Sequence, residues 1–379
     1  MRQARTPIFV GGLRTPFSKA GAGVFKDTRP DDLLCGLWKH LIGQWREKGG
    51  LPPEEAIAGC AYPEGEQGYN VARMAALGAG LAVPGMTVNR LCASSLDAAA
   101  IGAARISAGQ MFCCLVGGVE SMSRVPRRGA HFSPSAKIAE AWPQAYISMG
   151  ETAEEVCKRY PISREEQEEF ASRSHELTHQ AYAKGYYQGQ VLPMEISRDD
   201  MIRYPADKGK MAKLPPAFVA GGMVTAATSS PLTDGAAAGL VVARETAREA
   251  GFVSGLEIID TAWTHVDPEV MGLGPIRAIE KLLANNQETI GSIAAFEINE
   301  AFSVQVLACL RDLKIPLDTL NTWGGALAIG HPLAASGLRL LMTLGKRLEH
   351  MGKKDALGIA SLCVGGGQGV AMLVKYVEV

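Results

Sequence analysis

At 379 residues the chain is too long for one small core, so two domains are the expectation. Apolar residues make up 47% and charged residues 20%, which fits a globular protein with an ample core and excludes a disordered one. The 38 Lys and Arg nearly balance 39 Asp and Glu, and a net charge of −1 excludes the basic footprint of a nucleic-acid binder.

In chain order, residues 7–12 read as a first strand, and residues 31–45 carry helical spacing in Leu33, Leu34, Leu37, Leu41 and Trp45. A short strand over 56–61, a small-residue helix over 71–81 and a strand over 86–88 follow. Cys92 then stands at the head of an Ala/Gly/Ser-rich helix over 93–109 that others can approach closely, and a strand over 111–117 comes next. Strands alternating with helices predict parallel βαβ layers. Composition changes after Glu120: residues 121–218 hold eight prolines and clusters of both charges and read as an excursion from the sheet. Within it Ser163 caps a helix running to about Gly185. Residues 240–242 return to strand. The last third repeats the first: a loop near Asn321, a helix over 334–351, and a strand over 357–362 ending at Cys363-Val-Gly-Gly-Gly. Two copies of one unit, offset by about half the chain, would bring corresponding ends together.

The reactive side chains sit beside glycine-rich backbone. A thiol at a helix start meets free N–H groups and the positive dipole end, which favours thiolate at Cys92. The plain alternative is a buried core cysteine. His331 in Gly330-His331-Pro332 supplies a base near neutral pH, Cys363 a second thiol for proton transfer, and the glycine loops N–H donors for an oxyanion. Two cysteines, a histidine and oxyanion donors suit thioester chemistry. The eight cysteines form no Cys-x-x-Cys pair, and residues 8–10 are too short for a signal-peptide core, so a reducing cytoplasmic setting is expected. No apolar run reaches membrane-spanning length.

In order along the chain, Asn89-Arg-Leu-Cys92-Ala-Ser-Ser, Val116-Gly-Gly-Val-Glu120, Met149-Gly-Glu-Thr-Ala-Glu154, Thr225-Ala-Ala-Thr-Ser-Ser230, Asn299-Glu-Ala-Phe302, Gly330-His331-Pro332 and Cys363-Val-Gly-Gly-Gly367 resemble the thiolase family. The resemblance implies an α/β fold of five layers, αβαβα, from two duplicated halves: residues 1–120 with 219–250, and 251–379, with 121–218 inserted as a loop domain. It implies that Cys92 carries the acyl group, His331 activates it, and Cys363 moves the proton at the acetyl carbon. Asn299 would order an oxyanion-hole water with His331, and the N–H groups of Cys92 and Gly365 would form the second hole. Ser230 would lie near the pantetheine of coenzyme A, which is a substrate; no bound cofactor or metal is implied. Homodimers or dimers of dimers are implied, and a hydratase/dehydrogenase partner by the closer resemblance to the bacterial β-oxidation subunit, carried by the 66–73, 125–134 and 214–218 segments. An acetoacetyl-CoA enzyme acting in condensation is the runner-up.

Arg203, Lys208, Lys210 and Lys213 are candidates for the nucleotide phosphates. Trp323 and Ala334 depart from the family pattern, and an indole near the catalytic loop would reshape the acyl pocket. Outside this reading, His175-Glu-Leu-Thr-His179 matches the zinc-hydrolase pattern on a helix, although the strongly charged helix accounts for those residues as a solvated face. A lipid carrier that has lost turnover would lack a reactive residue, whereas Cys92, Asn299, His331 and Cys363 are all present. A ketosynthase-type condensing enzyme would not need the Cys363 thiol.

Overall fold

A computed structural model describes residues 4–379. Ten strands build one mixed sheet: β1 (Pro7–Arg14), β2 (Ser18–Lys19), β3 (Glu55–Gly59), β4 (Gly85–Val88), β5 (Cys113–Ser121), β6 (Thr233–Ala243), β7 (Ser254–His265), β8 (Ile293–Ile298), β9 (Leu357–Val364) and β10 (Gln368–Glu378). Their order is β4-β3-β5-β6-β1-β7-β10-β9-β8, with β2 on β6. The all-parallel expectation is corrected. Only the β3–β4, β3–β5 and β8–β9 pairs are parallel; the five central pairings from β5 to β9 are antiparallel. The tight glycine turn between β9 and β10 allows only a hairpin return, and a parallel return needs a long crossover.

The two halves of the sheet are joined at β1 and β7 by just two register pairs, Ile8–Glu257 and Phe9–Leu256. So short a seam lets one half fold over the other. Strand alternation sorts the side chains into layers. Cys113, Leu115, Leu240 and Val242 face the outer helices Pro30–Glu47 and Val71–Gly78. Cys114, Val116, Val241, Leu362, Val370 and Met372 face inward. There they meet the two central helices, Ser94–Ser107 and Ser336–Met351. Phe296, Ile359 and Leu373 face the other outer pair, Gly274–Asn286 and Ser303–Leu313. The five-layer α/β architecture follows directly from this sorting.

Small residues let the central helices come close. A Cβ at Gly118 would lie 2.4 Å from the Ala334 carbonyl oxygen, and one at Gly337 would lie 2.6 Å from the Leu96 nitrogen. The excursion holds two longer helices, Met149–Arg159 and Arg164–Ala183, each opened by a serine capping box at Ser148 and Ser163.

Candidate active site

Cys92 sits in a 3-10 turn, Leu91–Ala93, just ahead of the first central helix. The second central helix is preceded in the same way by the turn Leu333–Ala335, two residues after His331. The two turns pack on each other, and the Cys92 turn also packs on β9, whose end carries Cys363. Duplication therefore brings Cys92, His331 and Cys363 to one place, as the sequence leads one to expect. Leu91 has φ +42°, a left-handed conformation that costs a leucine energy and sharpens the turn. Asn89 holds it there, its Oδ1 accepting the Leu91 N–H at 2.8 Å.

The electrostatics correct one expectation. Burial pushes the Cys92 thiol up to about 12, and its own N–H and that of Gly365, both donating to Sγ, only partly offset this. A helix-start dipole does not outweigh desolvation here, so the resting side chain is a thiol that needs a base. Cys363 is likewise pushed well above the ordinary thiol value, first by burial and then by Cys92 beside it.

His331 is suited to be that base. Burial, with Arg339 adding to it, lowers its pKa to about 3, so the ring is neutral at pH 7. Its Nδ1 lies 2.6 Å from Ser336 Oγ, and that hydroxyl donates onward to the Pro332 carbonyl at 3.4 Å. Ser336 Oγ thus accepts from Nδ1–H, which leaves Nε2 with a free lone pair. Asn299 Nδ2 approaches that Nε2 at 3.3 Å. The amide orientation is fixed from behind: Arg339 Nη2 donates to Asn299 Oδ1 at 3.2 Å, and arginine can only donate. The His331 N–H is taken by Thr233 Oγ1 at 3.0 Å.

Ser230 lies beside this group, its N–H donating to the Ala301 carbonyl at 2.9 Å. Arg203 and Lys210 line a cavity of about 380 Å³ with Leu214, Ala226, Ser229 and Leu327. Lys208 and Lys213 do not line it; Lys208 reaches Glu169 at 3.9 Å instead. His175 and His179 serve the excursion. His175 Nδ1 accepts the Arg203 N–H at 3.1 Å, and the His179 ring stacks on Tyr204 at 4.3 Å.

Trp323 is a second correction. Its ring stacks on Tyr186 at 4.6 Å and stands 6.1 Å from the ring of His350. His350 is in the last turn of the 16-residue helix that starts after His331, about 24 Å from its first turn. The indole points away from the catalytic turn, toward the far end of the helix. Sequence reasoning missed Ser336 and Arg339. A serine five residues after the histidine, and an arginine inside the apolar run Leu338 to Met342, are the signals that would have found them.

Family models for the N-terminal and C-terminal thiolase domains match residues 8–245 and 255–376. The chain belongs to the thiolase family. It is 38% identical to the 3-ketoacyl-CoA thiolase of Bacillus subtilis, over 96% of this chain and 97% of that one. It is 40% identical to the 3-ketoacyl-CoA thiolase of Vibrio vulnificus, over 97% of this chain and 98% of that one. Two solved structures superpose over the whole chain. One is the Bacillus anthracis acetyl-CoA acetyltransferase, at TM-score 0.88, 33% identity and all of that chain. The other is the dimeric peroxisomal thiolase of Saccharomyces cerevisiae, at TM-score 0.89, 31% identity and 99% of that chain.

Proposed function

We propose that this thiolase is an acetyl-CoA C-acyltransferase, cleaving 3-ketoacyl-CoA with coenzyme A to acetyl-CoA and a shortened acyl-CoA in β-oxidation. One observation carries the assignment of roles: two backbone N–H groups converge on the Cys92 sulfur while a neutral His331 has an unprotonated Nε2 facing the Asn299 amide. His331 takes the Cys92 proton, and the sulfur attacks the 3-keto carbon. The Cys92 and Gly365 N–H groups hold the oxyanion that forms on that carbon. Asn299 and His331, with a water joining them, stabilise the negative charge that cleavage puts on the thioester oxygen of the acetyl unit. The C2–C3 bond breaks, and Cys363 gives its proton to the acetyl carbon as acetyl-CoA leaves. Coenzyme A then passes its thiol proton to the Cys363 thiolate and attacks the acyl-Cys92 carbonyl. The Cys92 and Gly365 N–H groups hold the second oxyanion, and the departing Cys92 sulfur regains its proton from His331.

The cavity lined by Arg203 and Lys210 fits the nucleotide end of coenzyme A, with cations for its phosphates and apolar walls around them. Ser230, between the cavity-lining Ser229 and Pro231, is assigned to the pantetheine. The chain is divided as residues 1–120 with 219–250, the 121–218 insert, and 251–379. We place it in the cytoplasm as a homodimer or a dimer of dimers. Eight free thiols fit a reducing compartment, and the yeast relative is dimeric. A 3-keto group is supplied by oxidation of a 3-hydroxyacyl-CoA, so a hydratase/dehydrogenase partner belongs to this reading.

The test is thiolysis of acetoacetyl-CoA beside a long-chain 3-ketoacyl-CoA, with Cys92→Ala as the control. Preference for the long chain supports the degradative assignment. Preference for the four-carbon substrate moves the assignment to an acetoacetyl-CoA enzyme, and no turnover by folded protein overturns both.

A further inference from the structure

The search for a group that the mechanism leaves unused ends at Glu120. It lies at the end of β5 and is 1% exposed. Its partners are all neutral donors from three separate segments. Oε2 accepts the N–H groups of Ala61 at 2.9 Å and Ala334 at 3.3 Å. Oε1 accepts Gln67 Nε2 at 2.8 Å and the Tyr62 N–H at 3.3 Å.

Each side of the carboxylate leads to a catalytic turn. On one side, the Ala61 carbonyl accepts Asn89 Nδ2 at 2.9 Å, and Asn89 Oδ1 holds the Leu91 N–H, so the chain of bonds ends at the strained residue before Cys92. On the other side, Ala334 belongs to the turn after His331. The strand itself marks the junction, because Gly118 leaves room for both Ser95 and Ala334. We propose that Glu120 is a positioning residue that locks the Cys92 turn of the first half to the His331 turn of the second. This rests on Cys92 and His331 working as a pair.

Glu120 also acts on the thiol through its charge. The titratable groups that feel it are Cys92, Cys60 and Tyr62, and its negative charge opposes a thiolate at Cys92. Burial raises the carboxyl itself to about 7, and the four donors limit that rise. Lock and charge therefore predict opposite consequences of one substitution, and this separates the proposal from general structural damage.

In Glu120→Gln an NH₂ group replaces one acceptor and faces N–H donors, while the charge is lost. Thiolysis kcat should fall about 10- to 100-fold, the scale of a small misplacement of reacting groups, with KM for the acyl-CoA unchanged. Iodoacetamide labelling of Cys92 at fixed pH, located by mass spectrometry, should become faster by at least about threefold as the opposing charge disappears. Wild-type kcat together with an unchanged labelling rate overturns the proposal. Slower labelling with lost kcat means mere damage and overturns it as well. Labelling needs no turnover, so it decides the matter even where the wild-type protein fails to thiolyse and the reaction assignment falls. If the variant does not fold, Asn89→Ala decides, since Asn89 is exposed and carries only the lock. A kcat loss with an unchanged labelling rate supports the proposal, and full kcat overturns it.

Discussion

The two central helices start alike and are surrounded differently. Both begin after a 3-10 turn that carries or follows a catalytic side chain. Around the first, Glu120 is buried and held by neutral donors alone. The second carries Arg339 and Arg347, both buried, which share Glu297 at 3.5 and 2.6 Å. Burial keeps both the Cys92 thiol and the His331 ring neutral, and the charges behind them add to it with opposite sign: Glu120 opposes a thiolate, while Arg339 opposes an imidazolium and aims Asn299. One scaffold has yielded two differently charged settings for the residues proposed as nucleophile and base.

The largest effect should come from removing the base. His331→Ala should lower thiolysis kcat by about 10²- to 10⁴-fold, since the high-pKa Cys92 then loses its proposed base. Stopped-flow acylation with a 3-ketoacyl-CoA would place the loss in the first step; undiminished acylation would remove His331 from that role.

Next comes the ion cluster of the second half. Arg347 Nη1 donates to Glu297 at 2.6 Å and to the Phe296 carbonyl at 2.8 Å, and its Nη2 donates to the Thr319 carbonyl at 2.8 Å. Arg347→Met leaves Glu297 with Arg339 alone, while the Phe296 and Thr319 carbonyls keep the N–H groups of Asn321 and Phe296, and should cost about 3 kcal/mol in a urea titration. A change below about 1 kcal/mol would mean that Arg339 alone suffices for Glu297.

The same asymmetry sets the acid limb. His331 and His175 have pKa values lowered to about 3 and about 4, below their unfolded value of 6.5. Their contribution to stability is present above pH 6.5 and is lost as pH falls toward those folded values, because unfolding then takes up protons. Each adds a slope of up to about 1.4 kcal/mol per pH unit, and a histidine-free double variant, His331→Gln with His175→Gln, should flatten the limb between pH 6 and 4. An unchanged slope would show that buried carboxylates govern it instead. A smaller effect is expected of Ser336→Ala. Without the Nδ1 acceptor the ring is free to place its proton on Nε2, and kcat should drop about tenfold with KM unchanged, while Ser336→Thr restores it.

How much of this was legible in the sequence depends on which interactions each feature needs. The helices over Pro30–Glu47 and Arg164–Ala183 were readable within a few residues, because their signals, apolar spacing and the Ser163 cap, are local. The gathering of Cys92, His331 and Cys363 was readable because glycine loops and reactive residues recur in both halves. The strands β7 and β10 were not: Ser254–His265 and Gln368–Glu378 pair with each other at the sheet's centre, and nothing local marks so long-range a pairing. Thiolate at Cys92 was misjudged for a related reason. A helix start is visible in the sequence, while the desolvation that outweighs it is made by residues hundreds of positions away.

Trp323 gives the smallest predicted effect and separates the two ends of the second helix. Eight residues before His331 the indole suggested an acyl-pocket wall, but its ring belongs with Tyr186 and His350 at the opposite end. Cys363 packs instead with Ala301, Phe302 and Met271, with Met149 against them. Trp323→Phe keeps the stacking and should cost about 1 kcal/mol, leaving the ratio of long-chain to acetoacetyl-CoA turnover unchanged. A shift of that ratio beyond about tenfold, the scale of a change in a substrate pocket, would put the indole back against the acyl chain. Met149→Ala is the matching variant at the catalytic end: there the same assay should show the ratio move, because that side chain packs on the Cys363 cluster and on Gly365.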